Sequence, residues 1–121
     1  LISFVVQIYS HSVRSLLMIV DVRTYDIVPR QMKAYLALFE EYALPVMREY
    51  IGEPIGYFVV EHGPLNQVVH LWGYDSLADV EEKRRARDAD PRWAEYLSKG
   101  EGLVARQNNK LCRPTDWSSV K

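Results

Sequence analysis

One imidazole, one guanidinium and one phenol stand in β-branched runs of this chain, where charge and polarity are unexpected. His70 lies within Val68-Val69-His70-Leu71-Trp72, and Arg23 and Tyr25 lie within Val20-Asp21-Val22-Arg23-Thr24-Tyr25. Successive side chains of a strand alternate between its faces. Asn66, Val68, His70, Trp72 and Tyr74 therefore share one side of one strand, and Asp21, Arg23 and Tyr25 share one side of another. If both rows face a helical layer, Arg84 or Arg87, on the helical stripe that starts with Leu77 and Val80, reaches the same cavity. Such a cavity suits a small anionic or carbonyl-bearing ligand, with arginine fixing an oxyanion and imidazole moving a proton. The candidate catalytic residues are His70, Arg23 and Tyr25, and the candidate ligand-binding residues are Asn66, Trp72, Tyr74 and Arg84.

Each residue type also has a structural use. A histidine in an apolar strand is commonly a hydrogen-bonded core residue, and a tryptophan there is commonly packing. Arg23 has Asp21 on its own face as an internal partner. Asn66 ends a loop, where a short amide can bond backbone across a hairpin. Arg84 belongs to Lys83-Arg84-Arg85-Ala86-Arg87, a charge run of the kind that faces water, with Glu81 and Glu82 beside it. Other chemistries fail on inventory. The histidines at 11, 62 and 70 lack helical metal spacing, although His62 and His70 flank one hairpin, and no glycine-rich phosphate cradle is present. Neither a metal nor a nucleotide cofactor is expected. Lone Cys112 excludes an internal disulfide and a thiolate zinc site, and suits a small hydrophobe in a reducing compartment.

Those residues must be positioned by regular elements, and the periodicities supply them. Ile19–Ile27 alternates with period two and is predicted as a strand. Pro29 opens a helix whose stripe is Met32, Tyr35, Leu36, Phe39, Tyr42 and Ala43. Pro45 should kink or break it, a shorter piece should run over 46–51, and Gly52 suits a left-handed cap. Apolar runs over 55–61 and 67–74, separated by residues 62–66, predict an antiparallel hairpin. Ser76 to Asp79 resembles a capping box that starts a helix ending near Ala89, and Asp90-Pro91 restarts a short helix carrying Trp93, Tyr96 and Leu97. Val104–Cys112 is the last strand. The order is strand, helix, strand, strand, helix, strand, an α+β fold of ferredoxin-like βαββαβ type: a four-stranded antiparallel sheet with helices on one face.

Both parities of the 57–60 and 68–72 runs are apolar, so the face opposite the helices also needs a cover. The same sheet of a second copy is the simplest one, which predicts a homodimer. With 121 residues, 48% of them hydrophobic, and a net charge of −1, the chain suits one globular domain with no global pull toward nucleic acid. The apolar stretch over 1–9 is too short for a membrane span and lacks a basic start, so residues 1–17 are expected to be an N-terminal extension or leader outside the core, 18–114 the domain and 115–121 a tail.

Gly63-Pro64-Leu65-Asn66-Gln67-Val68-Val69-His70-Leu71-Trp72 with Tyr74-Asp75-Ser76-Leu77-Ala78 resembles the signature of the NIPSNAP family. Arg23-Thr24-Tyr25, Ile55-Gly56-Tyr57-Phe58, Arg84-Arg85 and Asp90-Pro91 follow the same pattern, and the likeness covers about 19–114. The resemblance implies the dimeric α/β barrel superfamily, in which two such sheets close around a shared core. Eukaryotic relatives carry two modules behind a mitochondrial transit segment. One module with a weak match to such a segment leads to the expectation of a cytoplasmic protein. Fold leaves the chemistry open. One expectation is a dimeric small-molecule-binding protein, or an enzyme working without metal or nucleotide. The other is a non-catalytic protein-interaction module whose exposed Arg84-Arg85 run carries recognition. A partly polar cavity above roughly 300 Å³ beside His70 separates the two, in favour of the first.

Overall fold

The computed structural model describes residues 18–121, and the leader expected over 1–17 lies outside the described residues. Strand β1 spans Ile19–Ile27, where alternation and β-branching place it. Pro29 then takes part in a turn rather than in a helix. The Gln31 amide bonds the Val28 carbonyl at 3.0 Å and Arg30 adopts φ 71°, so Pro29 and Arg30 occupy the two central positions of a type II pattern. Helix α1 begins only at Met32 and runs to Leu38.

Pro45 does not break the helical path. A π-helical stretch, Phe39–Ala43, precedes it, and the Leu44 amide reaches back to the Phe39 carbonyl. That wider turn places Pro45 in the first turn of α2, Leu44–Tyr50, the position at which a helix tolerates proline's missing N–H. Phe39, Ala43, Val46 and Met47 all remain buried. Gly52 closes the segment at φ 118°, its amide bonded to the Met47 carbonyl at 2.8 Å.

The hairpin consists of β2, Gly56–Val59, and β3, Gln67–Tyr74. β2 is shorter than its apolar run because the chain leaves the ladder at Val60, whose amide makes the last cross-strand bond, to the Gln67 carbonyl. Helix α3, Leu77–Ala89, starts at Ser76, whose hydroxyl accepts from the Asp79 amide at 3.1 Å. The reciprocal bond goes one residue further back: the Asp75 amide donates to the Asp79 carboxylate at 2.9 Å. Asp90 caps α4, Pro91–Lys99, through the Arg92 amide, and β4, Val104–Cys112, closes the chain's sheet.

The sheet order is β2-β3-β1-β4, all antiparallel. This is the ferredoxin-like arrangement. Its helix-facing row buries Val68, Trp72 and Tyr74 against Tyr35, Phe39, Met47, Val80 and Tyr96. On the opposite face, Val22, Val69 and Leu71 are half-buried and Phe58 is 56% exposed, its ring lying over Gly56. A Cβ at position 56 would come within 2.5 Å of that ring, so glycine is what lets it lie flat.

Candidate functional site

Register brings the two polar rows together. Asp21 pairs with Trp72, Arg23 with His70 and Tyr25 with Val68, all on the helix-facing side. Tyr57 of β2 stands opposite His70, and Gln107 and Asn109 of β4 flank Tyr25 and Arg23. The result is a polar strip across the middle of the sheet, and its hydrogen bonds run largely within it.

Asp21, 1% exposed, accepts from Arg23 Nη1 at 3.0 Å and from Asn109 Nδ2 at 3.4 Å. Arg23 Nε donates to the Tyr25 hydroxyl at 2.9 Å. Burial disfavours the Arg23 charge, but Tyr25 and Asp21 outweigh that cost and leave its pKa above the ordinary value. Asp21 and Arg23 thus balance each other.

His70 is 2% exposed and enclosed by rings: Tyr57 stacks on it at 4.5 Å and Tyr25 meets it at right angles at 4.6 Å. Trp72 Nε1 donates to His70 Nδ1 at 2.7 Å. An indole can only donate, so Nδ1 carries no proton and the neutral ring holds its hydrogen on Nε2. Burial, aided by the nearby Arg23 charge, pushes the His70 pKa down to about 3. What the ring offers at neutral pH is therefore an Nε2–H donor, and that atom is buried with no hydrogen-bond partner among the described residues. Tyr57, whose ring stacks on the imidazole, shares a 2.6 Å hydroxyl-hydroxyl hydrogen bond with Tyr35, and burial raises the pKa of both.

A partly open cleft of 360 Å³ lies between this strip and the helices. Asp21, Arg23, Tyr25, His70, Trp72 and Tyr74 line its sheet side. Arg87, Trp93 and Tyr96 line its helix side, with the Gly100–Gly102 turn at its edge. Arg87 packs its guanidinium over the Trp93 ring at 4.2 Å and reaches Met47 Sδ at 3.7 Å. Burial is the main reason that Tyr74 and Tyr96 are each pushed up to about 12, so both phenols remain protonated.

Of the residues singled out from the sequence, His70, Arg23, Tyr25, Trp72 and Tyr74 meet at the cleft. Arg84 and Asn66 do not. Seven residues on a helix return to within about 20° of the same direction, whereas four overshoot by about 40°. Arg87 thus follows Val80 inward, and Arg84 lines a separate groove with Leu77 and Leu111. Asn66 sits at the end of the hairpin loop at φ 61°, its carbonyl accepting from the Ile27 amide at 2.7 Å. The contribution of Trp93 and Tyr96 went unassigned in the sequence reading, although their three-residue spacing signals an inward stripe. Among the described residues, no cluster of three His, Cys, Asp or Glu is arranged to hold a metal ion.

The NIPSNAP family model matches residues 20–119. The human protein NipSnap homolog 3A is 31% identical over 103 residues, covering 84% of this chain; the chain spans only 41% of that relative's length. A crystal structure of a NIPSNAP family protein with unknown function from Agrobacterium tumefaciens is 35% identical with TM-score 0.83, over 88% of this chain and 96% of that one. A NIPSNAP-like domain protein from Burkholderia xenovorans is 40% identical with TM-score 0.80, over 85% and 90% of the two chains.

Proposed function

This chain belongs to the NIPSNAP family, and from that premise we propose that it is a homodimeric small-molecule-binding protein whose ligand enters the cleft between sheet and helices. The observation that carries this reading is the 360 Å³ cleft lined by His70, a buried residue whose Nε2–H has no partner. Buried polar groups are almost always paired, and an exception beside a cavity fits a donor kept for a ligand. The volume stands at the lower end of the range for small-molecule sites, so the ligand is a small organic compound with an anionic or carbonyl group. A sheet-helix layer with no cleft beside His70 would have favoured an interaction module instead.

A thermal-shift screen of small organic acids and ketones tests the reading, since a ligand stabilises only the state it binds. Compounds that raise the melting temperature are expected to perturb the NMR signals of Tyr25, His70 and Trp93. Stabilisation with perturbations confined elsewhere, or none from any compound, overturns it. The dimer proposal rests on Val22, Val69, Leu71 and Phe58, which form an apolar face that no helix of the described residues covers. Sedimentation should return twice the chain mass and Leu71→Glu should lower it. A wild-type monomer at micromolar concentration contradicts the proposal.

No helix of the described residues is long and apolar enough to cross a membrane. A cytoplasmic location is kept as a proposal.

A further inference from the structure

The two arginines of the cleft are not equivalent. Arg23 is held by Asp21 and Tyr25 inside the polar strip, and its charge is matched by a carboxylate 1% exposed. Among the described residues Arg87 is paired only with Asp88 at 2.9 Å, and Asp88 is 57% exposed, where solvent screens most of the attraction. Its guanidinium has five N–H donors, of which Asp88 and Met47 engage three. The Trp93 ring under it fixes its plane. Arg87 is therefore the cation with charge and donors to give.

The rest of the lining narrows the ligand further. Asp21 and Glu101 equal Arg23 and Arg87 in number, so the lining carries no net positive charge, which leaves room for at most a single negative charge at Arg87 and disfavours a multiply charged phosphate. Tyr25, Trp72, Tyr74, Trp93 and Tyr96 supply aromatic surface, which packs best against flat, conjugated matter. His70 contributes a neutral donor whose complement is a carbonyl or hydroxyl oxygen.

We infer that the cleft binds an aromatic or conjugated monocarboxylate carrying a second oxygen, with the carboxylate on Arg87 and the second oxygen accepting from His70 Nε2–H. The inference rests on the ligand-binding reading above and adds the ligand's class and its two anchoring residues. Both anchors act by binding; no bond is made or broken.

A matched set of three compounds tests it by NMR titration of the full chain: benzoylpropionate, its methyl ester, which lacks the charge, and phenylbutanoate, which lacks the ketone. A hydrogen bond to a charged group is worth roughly ten- to a hundredfold in affinity and a neutral one roughly two- to tenfold. Benzoylpropionate should therefore bind about tenfold or more tighter than the ester and about two- to tenfold tighter than phenylbutanoate. In Arg87→Gln the gap between acid and ester should close while the ester still binds, which shows that the cleft is intact. In His70→Phe the gap between benzoylpropionate and phenylbutanoate should close. Because the wild-type comparisons need no substitution, they decide the matter even if a variant folds poorly. Equal binding of acid and ester overturns the Arg87 assignment and leaves the cleft reading standing. A ketone gap that is absent in the wild type, or that survives in a folded His70→Phe protein, overturns the His70 assignment. If none of the three perturbs Tyr25, His70 or Trp93 at millimolar concentration, the inference and the reading beneath it both fall.

Discussion

Lowering the pH from 7 to 5 should weaken the fold through His70, and the size of the effect follows from its surroundings. In the unfolded chain the imidazole titrates near its ordinary value of 6.5, while in the fold burial and Arg23 hold it at about 3. Between those values the unfolded state binds a proton that the folded state refuses, so stability is complete above pH 6.5 and falls as the pH drops toward 3. Over the window from pH 7 to 5 the linkage relation gives a loss of about 2 kcal/mol from this one group. The groups facing the ring are Arg23, Trp72, Tyr25, Tyr57 and Phe39, none of them an acid that would reverse the sign. The assay is urea unfolding at both pH values for the wild type and for His70→Gln, which cannot titrate. With ordinary urea slopes the wild-type midpoint should move by roughly 1 M and the variant's by much less. Taking the difference between the two proteins cancels every other titrating group, exposed His62 included. Equal pH dependence in both would show that the folded ring accepts a proton after all. The assignment of Nε2–H as a standing donor would go with it.

Three further outcomes are expected. Tyr35→Phe and Tyr57→Phe each leave a buried hydroxyl unpaired and should cost about 1–3 kcal/mol, while the double variant should cost clearly less than the sum, a coupling that denaturant titration of the full cycle measures. Asn66→Ala should destabilise by about 1 kcal/mol because alanine tolerates φ 61° poorly, whereas Asn66→Gly should be close to neutral in the same melting experiment; equal losses would place the role of Asn66 in its side-chain amide. Ser76→Ala removes the hydroxyl that caps α3 and should cost about 1 kcal/mol, read from the urea midpoint.

Much of this fold is legible along the chain because it rests on local periodicity. The period-two run at Ile19–Ile27, the capping residues at Ser76 and Asp90 and the strand at Val104–Cys112 are all found where their residues place them. Pro45 is instructive in the other direction. Its local rule demands a break, but a break would pull Phe39 and Ala43 out of the core, and one π turn satisfies both requirements. At the site, strand parity correctly puts Asp21, Arg23, His70 and Trp72 on one face, since alternation is independent of what packs above. Choosing between Arg84 and Arg87 needs the phase of α3 against the sheet, which is a tertiary quantity. The state of His70 is also hidden in sequence: a histidine two residues before a tryptophan says nothing of which nitrogen the indole takes.

The energetic logic of the strip explains why its one gap lies where it does. Asp21, Arg23 and Tyr25 satisfy one another through bonds that run along one face of a single strand, so that part of the row can be buried without water or ligand. Trp72 and His70 do the same on β3, but a donor-only indole consumes the acceptor of the imidazole and leaves its donor over. An unpaired buried donor costs about 1–3 kcal/mol, a cost that a well-packed apolar pair at these two positions would not carry. For stability alone, the polar pair is a poor choice. The leftover donor belongs to a residue lining the cleft, in a strip where the arginine, the carboxylate and the phenol beside it are already matched. A stability cost borne at one buried atom of a cleft-lining residue, beside groups that bear none, is what the proposed ligand contact would account for.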